Sequence, residues 1–306
     1  MMNQDFSGAK LLLNEKGINF EEDELLSLHS TFRIGGKASL FIKPETEEQL
    51  ISALSILKSH NVRTFVLGNG SNVLFDDSGF RGAVISTAGL HEIESEGTVV
   101  RASCGVSLSA LAVYCAEHSL SGLEFLYGIP GSVGGGVYMN AGAYGGEISE
   151  CLVSSKCYDP ENDRICTLDF GEHDFGYRKS VFNTCRLVHL SSEFSLISGN
   201  SDEIKEKMAD FLRRRKEKQP LEYPSAGSTF KRYPGRYTGQ MIEEAGLKGL
   251  SVGGAQVSEK HAGFIINKGN ATSRDVLSLV ETVKEKIKET HGVEIECEMI
   301  YVKNDD

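Results

Sequence analysis

Between residues 46 and 58, apolar side chains recur at Leu50, Leu54 and Leu57, with Ile51 beside them. That three-to-four spacing is the mark of a helix burying one face. Thr46 ahead of it and Gln49 three positions later fit a capping box. The flanking "SLFIK" and "TFVLG" read as strands, the second a short apolar run ended by glycine and so predicted to be buried. "SLSALAVYCAEHSL" predicts a second helix. From about 150 to 195 the pattern changes to short strands and turns in "CLVSSKCYD", "DRICTLD" and "CRLVHLSSEFSL". "SDEIKEKMADFLRRRKEKQP" predicts a helix with acids at its start and bases at its end, complementary to the helix dipole. Pro220 and Pro224 follow, which puts a domain boundary near residue 218. In the last part, "SRDVLSLVETVKEKIKET" aligns Val276, Leu279, Val280, Val283 and Ile287 on one helical face. Gly292 then precedes a predicted last strand, "VEIECEMIYV".

A length of 306 residues accommodates two domains, or one large domain with subdivisions. The hydrophobic content of 40% and charged content of 25% are those of a soluble globular protein. No apolar run approaches membrane-spanning length, and the N-terminus has no secretory pattern, so a cytoplasmic protein is expected. With 43 acidic against 32 basic residues, the net charge of −11 argues against non-specific nucleic-acid or anionic-membrane binding. It leaves room for a small anionic ligand held by a few cations and backbone N–H groups. The seven cysteines show no zinc spacing and read as reduced, mostly buried thiols; no metal site is expected.

Two glycine-rich stretches change this picture. "VLGNGSN" (66–72) runs from a strand into Gly68, Asn69, Gly70, Ser71 and Asn72. Such a turn leaves successive N–H groups pointing one way, a nest suited to a diphosphate, although a tight turn is the plain reading. "GIPGSVGGGVYMNAGAYGGE" (128–147) holds eight glycines in twenty positions, among Val133, Val137, Tyr138, Met139 and Tyr144. A turn needs fewer glycines and a solvent-exposed linker would be more polar. The stretch therefore reads as a buried or half-buried path close to an extended ligand, and the pair of stretches suggests a dinucleotide. Neither GxGxxG opening a helix nor GxxxxGK[ST] occurs.

Three further places carry chemistry. In "FGYRKSVF" (175–182), Tyr177 and Arg178 sit between a glycine and an apolar pair. A guanidinium in a cleft would fork onto a carboxylate, whereas on an ordinary turn it is solvated. In "PSAGSTFKR" (224–232), Ser228 follows Gly227 in a proline-bounded loop; its hydroxyl could donate a proton only beside something that takes up the charge. In the predicted last strand Glu294, Glu296 and Glu298 share one face. That face turns apolar at Ile300, which would set Glu298 at a cleft boundary rather than on a solvated sheet face.

Taken in order, "HSTFRIGG" (29–36), "VLGNGSNVLF", "GLEFLYGIPGSVGGGVYMNAGAYGGE", "FGYRKSVF", "PSAGSTFKR", "GLKGLSVGGAQVSEKHAGFIIN" and "ECEMI" closely resemble the UDP-N-acetylmuramate dehydrogenase family of bacterial cell-wall synthesis, from about residue 20 to 303. The resemblance implies an α+β fold of the vanillyl-alcohol-oxidase type. Residues 1–217 would form the FAD-binding domain, with subdomains of about 1–85 and 86–217, and residues 218–306 the substrate-binding domain. It implies non-covalent FAD lined by Arg33, Gly68, Asn69, Gly70, Ser71, Asn72, Gly128, Pro130, Gly131, Ser132, Gly134, Gly135, Asn140, Ala141 and Gly142. NADPH would be the co-substrate, and the flavin hydride would pass to C3 of an enolpyruvyl sugar nucleotide. By the same resemblance Ser228 is the proton donor to C2, while Arg178 and Glu298 bind the carboxylate and stabilise the intermediate. Tyr177, Lys218, Arg232 and His261 fall at substrate-contact positions, Lys218 near the diphosphate. A monomer with a small-molecule substrate is expected.

One departure is visible. "VFNTCRLVHLSSEF" runs directly from the "YR" motif into the next strand, so the tyrosine-bearing lid loop of some members is missing, as in the shorter class of the family. The main alternative is an FAD oxidase of the same fold acting on a sugar, lactone or hydroxy acid, which would use oxygen and not need NADPH. A catalytically silent nucleotide-binding protein would not need Arg178, Ser228 and Glu298 together.

Overall fold

The computed structural model describes residues 4–304, an α+β chain in two compact units. The first comprises the residues up to Glu22, Leu40–Asn69 and Gly82–Arg214; the second comprises Asp23–Ser39, Gly70–Arg81 and the residues from Arg215 onward. No helix among the described residues is long and apolar enough to cross a membrane.

The first unit contains a five-stranded antiparallel sheet ordered Arg164–Asp169, Leu152–Asp159, Val188–Ser195, Val99–Ser103, Ile93–Glu96. The helix Leu108–Glu117 and the short helix Val133–Tyr138 contribute Leu111, Ala112, Cys115, Val133 and Val137 to the core over this sheet. The helix Glu47–Ser59 buries Leu50, Ala53, Leu54, Ile56 and Leu57, as its spacing predicts. Thr46 Oγ1 accepts from Gln49 N at 3.2 Å, but the Gln49 side chain turns to Glu45 N at 2.8 Å, so the predicted reciprocal pair is shifted by one residue. The strand Thr64–Leu67 is only half-buried apart from Leu67. It lies at the edge of its four-stranded sheet, parallel to Phe80–Ser86, where an apolar run is covered less completely than in a central strand. All seven cysteines are free thiols.

A buried polar relay crosses the first unit. Distances along it are 2.9 Å from His173 Nδ1 to the Asp169 carbonyl, 2.8 Å from His173 Nε2 to Ser155 Oγ, 2.7 Å from Ser155 to Ser192 Oγ, and 2.6 Å from Ser192 to His189 Nε2. A carbonyl only accepts, so in neutral His173 the proton is on Nδ1. The chain of donors then runs from His189 Nε2 through Ser192 and Ser155 to His173 Nε2. Burial pushes both imidazoles below their ordinary range, His189 to about 3. In the unfolded chain both would titrate near ~6.5. As pH falls below that value the unfolded state takes up protons that the folded state refuses, so stability declines as pH drops from about 6.5 toward 3. The urea midpoint of the wild type should fall across this window, and that of His189→Gln should fall less steeply. Identical pH dependences would show that His189 does not carry the effect.

In the second unit, the antiparallel strands Ser251–Val252, Ala255–Val257 and Ile265–Asn267 form a sheet against which the helix Ser273–His291 packs Val276, Leu279, Val280, Val283 and Ile287. Thr272 and Asp275 form a capping box at its start, and Gly292 closes it with φ 68°. The predicted ten-residue last strand is regular only over Ile300–Val302, which pairs in parallel with Val73–Phe75. Before it the chain is extended with a single bridge, Phe230 to Cys297, and the predicted alternation survives: Ile295 and Met299 are buried, Glu294 and Glu296 exposed, Glu298 half-buried. Alternation reports which face is covered; a ladder also requires partner strands, and here one segment supplies 229–231 and another 73–75.

Candidate active site

In the first unit the two glycine-rich stretches meet. Asn69 Nδ2 donates to the Gly131 carbonyl at 3.0 Å, and a Cβ on Gly68 would lie 2.3 Å from Ser132 Oγ. Ser132 caps the helix Val133–Tyr138 by accepting from Gly135 N. That helix is not among the elements the sequence pattern predicts. Glycine is a poor helix former, and here close packing and the Ser132 cap override that preference.

Most of these glycines answer to the protein itself. A Cβ on Gly136 would meet Ile148 at 2.8 Å and Leu108 at 3.0 Å; one on Gly134, Cys104 at 3.1 Å; one on Gly131, Leu108 at 3.0 Å; one on Gly146, the Phe125 ring at 2.5 Å. Gly135 differs, being exposed with only Ser132 Oγ within 3.5 Å, and Gly128 has φ 83° beside the exposed Pro130. Ala141 is half-buried and donates its N–H to the Gly136 carbonyl. Open backbone that a flat ligand can approach is thus left at the exposed Pro130, Gly135 and Gly145, the last with nothing within 4 Å of an added Cβ.

The N–H groups of residues 68–72 have no protein acceptor among the described residues, whereas the carbonyls of Gly70 and Asn72 accept from Thr31 N and Ile300 N at 3.0 and 2.9 Å. Three of these in succession, on Gly70, Ser71 and Asn72 of the second unit, are free donors whose chemistry fits a diphosphate. In the second unit Gly70, with φ 61°, has no room for a side chain: a Cβ would lie 2.1 Å from the His29 carbonyl oxygen. Gly70→Ala should therefore cost more than about 1 kcal/mol of stability and lower the flavin content of the purified protein. An unchanged melting temperature with full flavin occupancy would contradict this.

Arg178 lies in the first unit at the tip of the turn Gly176–Lys179, which is closed by backbone hydrogen bonds of 3.1 and 3.2 Å. Its φ is 53°, uncommon for a residue with a side chain. The guanidinium Nη2 donates to the Gly142 carbonyl at 3.3 Å and lies 5.2 Å from the ring of Tyr177, which is exposed.

The remaining candidates fall in the second unit. Ser228, half-buried, precedes Thr229, whose carbonyl accepts from Glu298 N at 2.8 Å. Thr229 is itself pinned, N to the Gly263 carbonyl and Oγ1 to Ile265 N. Asn72 Nδ2 donates to the Glu298 carbonyl at 3.2 Å. Hence Asn72, Glu298 and Thr229, the neighbour of Ser228, share one hydrogen-bond network. Thr31 ties Gly70 to Ser225, and Asn267 ties Phe32 to Pro224; Arg33, exposed with φ 57°, projects from that braced loop. His261 Nδ1 accepts from Gly263 N at 3.1 Å, and burial lowers its pKa, with Lys248 and Lys218 adding to the effect. The neutral ring therefore carries its proton on Nε2 and presents a donor there. Lys218 ends the helix Ser201–Lys218 and is exposed; Arg232 is exposed, 4.3 Å from the Tyr237 ring.

Some supports were not singled out from the sequence. Glu147, Ser180, Thr31 and Asn267 hold these loops through side-chain hydrogen bonds between distant segments, which leave no periodic trace. Asn140 is buried at 1% exposure with its amide committed to Glu147, Gly176 and Ser149, so its side chain has no donor left for a ligand.

The family model described as UDP-N-acetylenolpyruvoylglucosamine reductase, C-terminal domain, matches residues 219–302, and an FAD binding domain model matches 38–168. The UDP-N-acetylenolpyruvoylglucosamine reductase of Caldanaerobacter subterraneus subsp. tengcongensis is 47% identical over 287 residues, covering 94% of this chain and 92% of that protein. The protein of the same name from Clostridium perfringens strain SM101 is 44% identical over 307 residues, covering 99% and 100%. The crystal structure of the Thermus caldophilus UDP-N-acetylenolpyruvylglucosamine reductase aligns with a TM-score of 0.79 at 34% identity, covering 93% of this chain and 99% of that one. The chain belongs to the UDP-N-acetylenolpyruvoylglucosamine reductase family, with an FAD-binding domain preceding the reductase C-terminal domain.

Proposed function

We propose that this protein reduces UDP-N-acetylglucosamine enolpyruvate to UDP-N-acetylmuramate, with NADPH as electron donor and non-covalent FAD, in a cytoplasmic step of peptidoglycan synthesis. The reading rests on the membership above, and within the fold on one observation: the 2.8 Å hydrogen bond from Glu298 N to the carbonyl of Thr229, the residue after Ser228. Ser228 and Glu298, both half-buried, thus lie on segments joined by a backbone hydrogen bond, which supports their acting on one substrate.

The free N–H groups of Gly70, Ser71 and Asn72 suit the cofactor's diphosphate, with Arg33 adding charge, and the exposed Pro130 and Gly135 leave room for a flat ring system. FAD, when bound, supplies the hydride, taken from NADPH and given to C3 of the enolpyruvyl group. The chain's own residues handle the charge and the proton. Arg178 forks onto the enolpyruvyl carboxylate and withdraws charge as the enol forms at C2. The Ser228 hydroxyl gives its proton to C2, a poor acid made competent by that electrostatic setting. Glu298 steadies the same intermediate, while Lys218, Arg232, Tyr177 and the Nε2 donor of His261 serve as polar contacts for the sugar nucleotide. In functional terms residues 1–217 bind FAD, in subdomains of about 1–85 and 86–217, and 218–306 bind substrate.

The test is anaerobic. Purified protein should show a flavin spectrum and oxidise NADPH catalytically only when the enolpyruvyl sugar nucleotide is added. Turnover restored by oxygen alone would make it an oxidase, and the absence of flavin would overturn the account of the 68–72 loop.

A further inference from the structure

We infer that Asn140 and Glu147 act as a positioning pair for Arg178, an inference that rests on the proposed carboxylate-binding role of that arginine. Asn140 Nδ2 donates to Glu147 Oε2 at 3.0 Å and to the Gly176 carbonyl at 3.2 Å, while its Oδ1 accepts from Ser149 N at 3.0 Å. A carboxylate only accepts, so the amide nitrogen must face Glu147, and only one orientation of the amide satisfies all three contacts. The bond to a carboxylate is of the stronger, charge-assisted sort.

The Gly176 carbonyl belongs to the turn that carries Arg178. A second strap, Ser180 Oγ to the Tyr138 carbonyl at 2.7 Å, holds the other side of that turn. Arg178 itself reaches the Gly142 carbonyl, and Gly142 pairs with Glu147 across the hairpin Gly142–Ala143/Gly146–Glu147. A Cβ on Gly142 would lie 2.8 Å from Glu147 Cγ, so the glutamate side chain passes directly over this glycine to reach Asn140. One hairpin therefore grips Arg178 twice, through the Gly142 carbonyl to its guanidinium and through Glu147 and Asn140 to its backbone turn. The left-handed backbone at Arg178 persists only where its surroundings over-determine it, and this grip does so. Glu147 touches neither substrate nor cofactor in this scheme.

The test compares Glu147→Ala with Glu147→Gln, whose amide oxygen still accepts from Asn140. Glu147→Ala should slow product formation from the enolpyruvyl substrate by on the order of 10- to 100-fold, the scale of an ångström-sized misplacement. Flavin content and flavin reduction by NADPH should stay near wild type, and Glu147→Gln should recover most of the loss. Independently of activity, trypsin should cut Glu147→Ala faster at the 178–180 turn. If Glu147→Ala does not fold, Glu147→Asp, with its carboxylate one methylene short, carries the same expectations. In an Arg178→Lys background, Glu147→Ala should add little further loss. Equal slowing of both half-reactions, or unchanged turnover and proteolysis while Arg178→Lys is severe, would overturn the positioning role. Near-normal turnover by Arg178→Lys alone would instead overturn the reading of Arg178 on which the pair depends.

Discussion

Ser228→Ala is expected to reduce flavin with NADPH at close to the wild-type rate and to form UDP-N-acetylmuramate on the order of 10² to 10⁴ times more slowly, the usual range for a positioned general acid. The two half-reactions should separate because the task proposed for the serine falls only in the second. Its hydroxyl is small, and alanine keeps the backbone that matters structurally: the Thr229 carbonyl to Glu298 N, Thr229 N to the Gly263 carbonyl, and the Thr229 side chain to Ile265 N. Loss of fold is therefore not the expected cause of lost activity. Stopped-flow absorbance, recorded first with NADPH and then with the enolpyruvyl substrate under anaerobic conditions, reads each half separately. Equal loss in both halves would remove Ser228 from the donor role, and so would a product-forming half at the wild-type rate. Solvent deuterium adds a sharper reading. Deuterium should appear at C2 of the product in the wild type in a single configuration; stereochemically scrambled label in the variant would mean that water has replaced the serine.

How much of this was legible in the sequence depends on whether the signal was local. Leu50, Leu54 and Leu57 behind Thr46 define their helix without outside help, as do Val276 to Ile287 between Thr272 and Gly292, because periodicity and caps are properties of the segment itself. The last strand was legible only as an alternation. Its ladder depends on distant segments, Val73–Phe75 and 229–231, and it forms only where those partners lie alongside. The glycines of 128–147 show the deeper limit. Their density announces a close approach but not what approaches: Gly136 is matched to Leu108 and Ile148, Gly146 to Phe125 and Gly142 to Glu147, whereas Gly135 and Gly145 are left open. The motifs gave Arg178, Ser228 and Glu298 their candidate roles, but nothing in them pointed to Asn140 as a brace. A buried amide with three protein partners and one placed against a ligand look alike in one dimension.

Arg178→Lys should be the more informative of the charge-preserving substitutions, with product formation falling by about 10² to 10³, the cost of removing one well-placed electrostatic donor. The net charge is unchanged, so any loss measures geometry. Lysine presents a compact point charge on a flexible stem, and a planar carboxylate that accepts two parallel N–H bonds from a guanidinium can accept only one from it. The arginine is also held before substrate arrives, by the Gly142 carbonyl at 3.3 Å and by the face of Tyr177 at 5.2 Å. A lysine ammonium favours water over both, so the pre-organised position is lost along with the fork. The penalty should fall on kcat for product formation as well as on KM, because charge on the substrate carboxylate and C2 grows toward the transition state and the interaction strengthens with it. Flavin reduction by NADPH is the internal control and should change little. A rise in KM with unchanged kcat would make Arg178 a ground-state anchor that holds the carboxylate without stabilising the enol. Near-normal values of both would leave the polarising role to another cation.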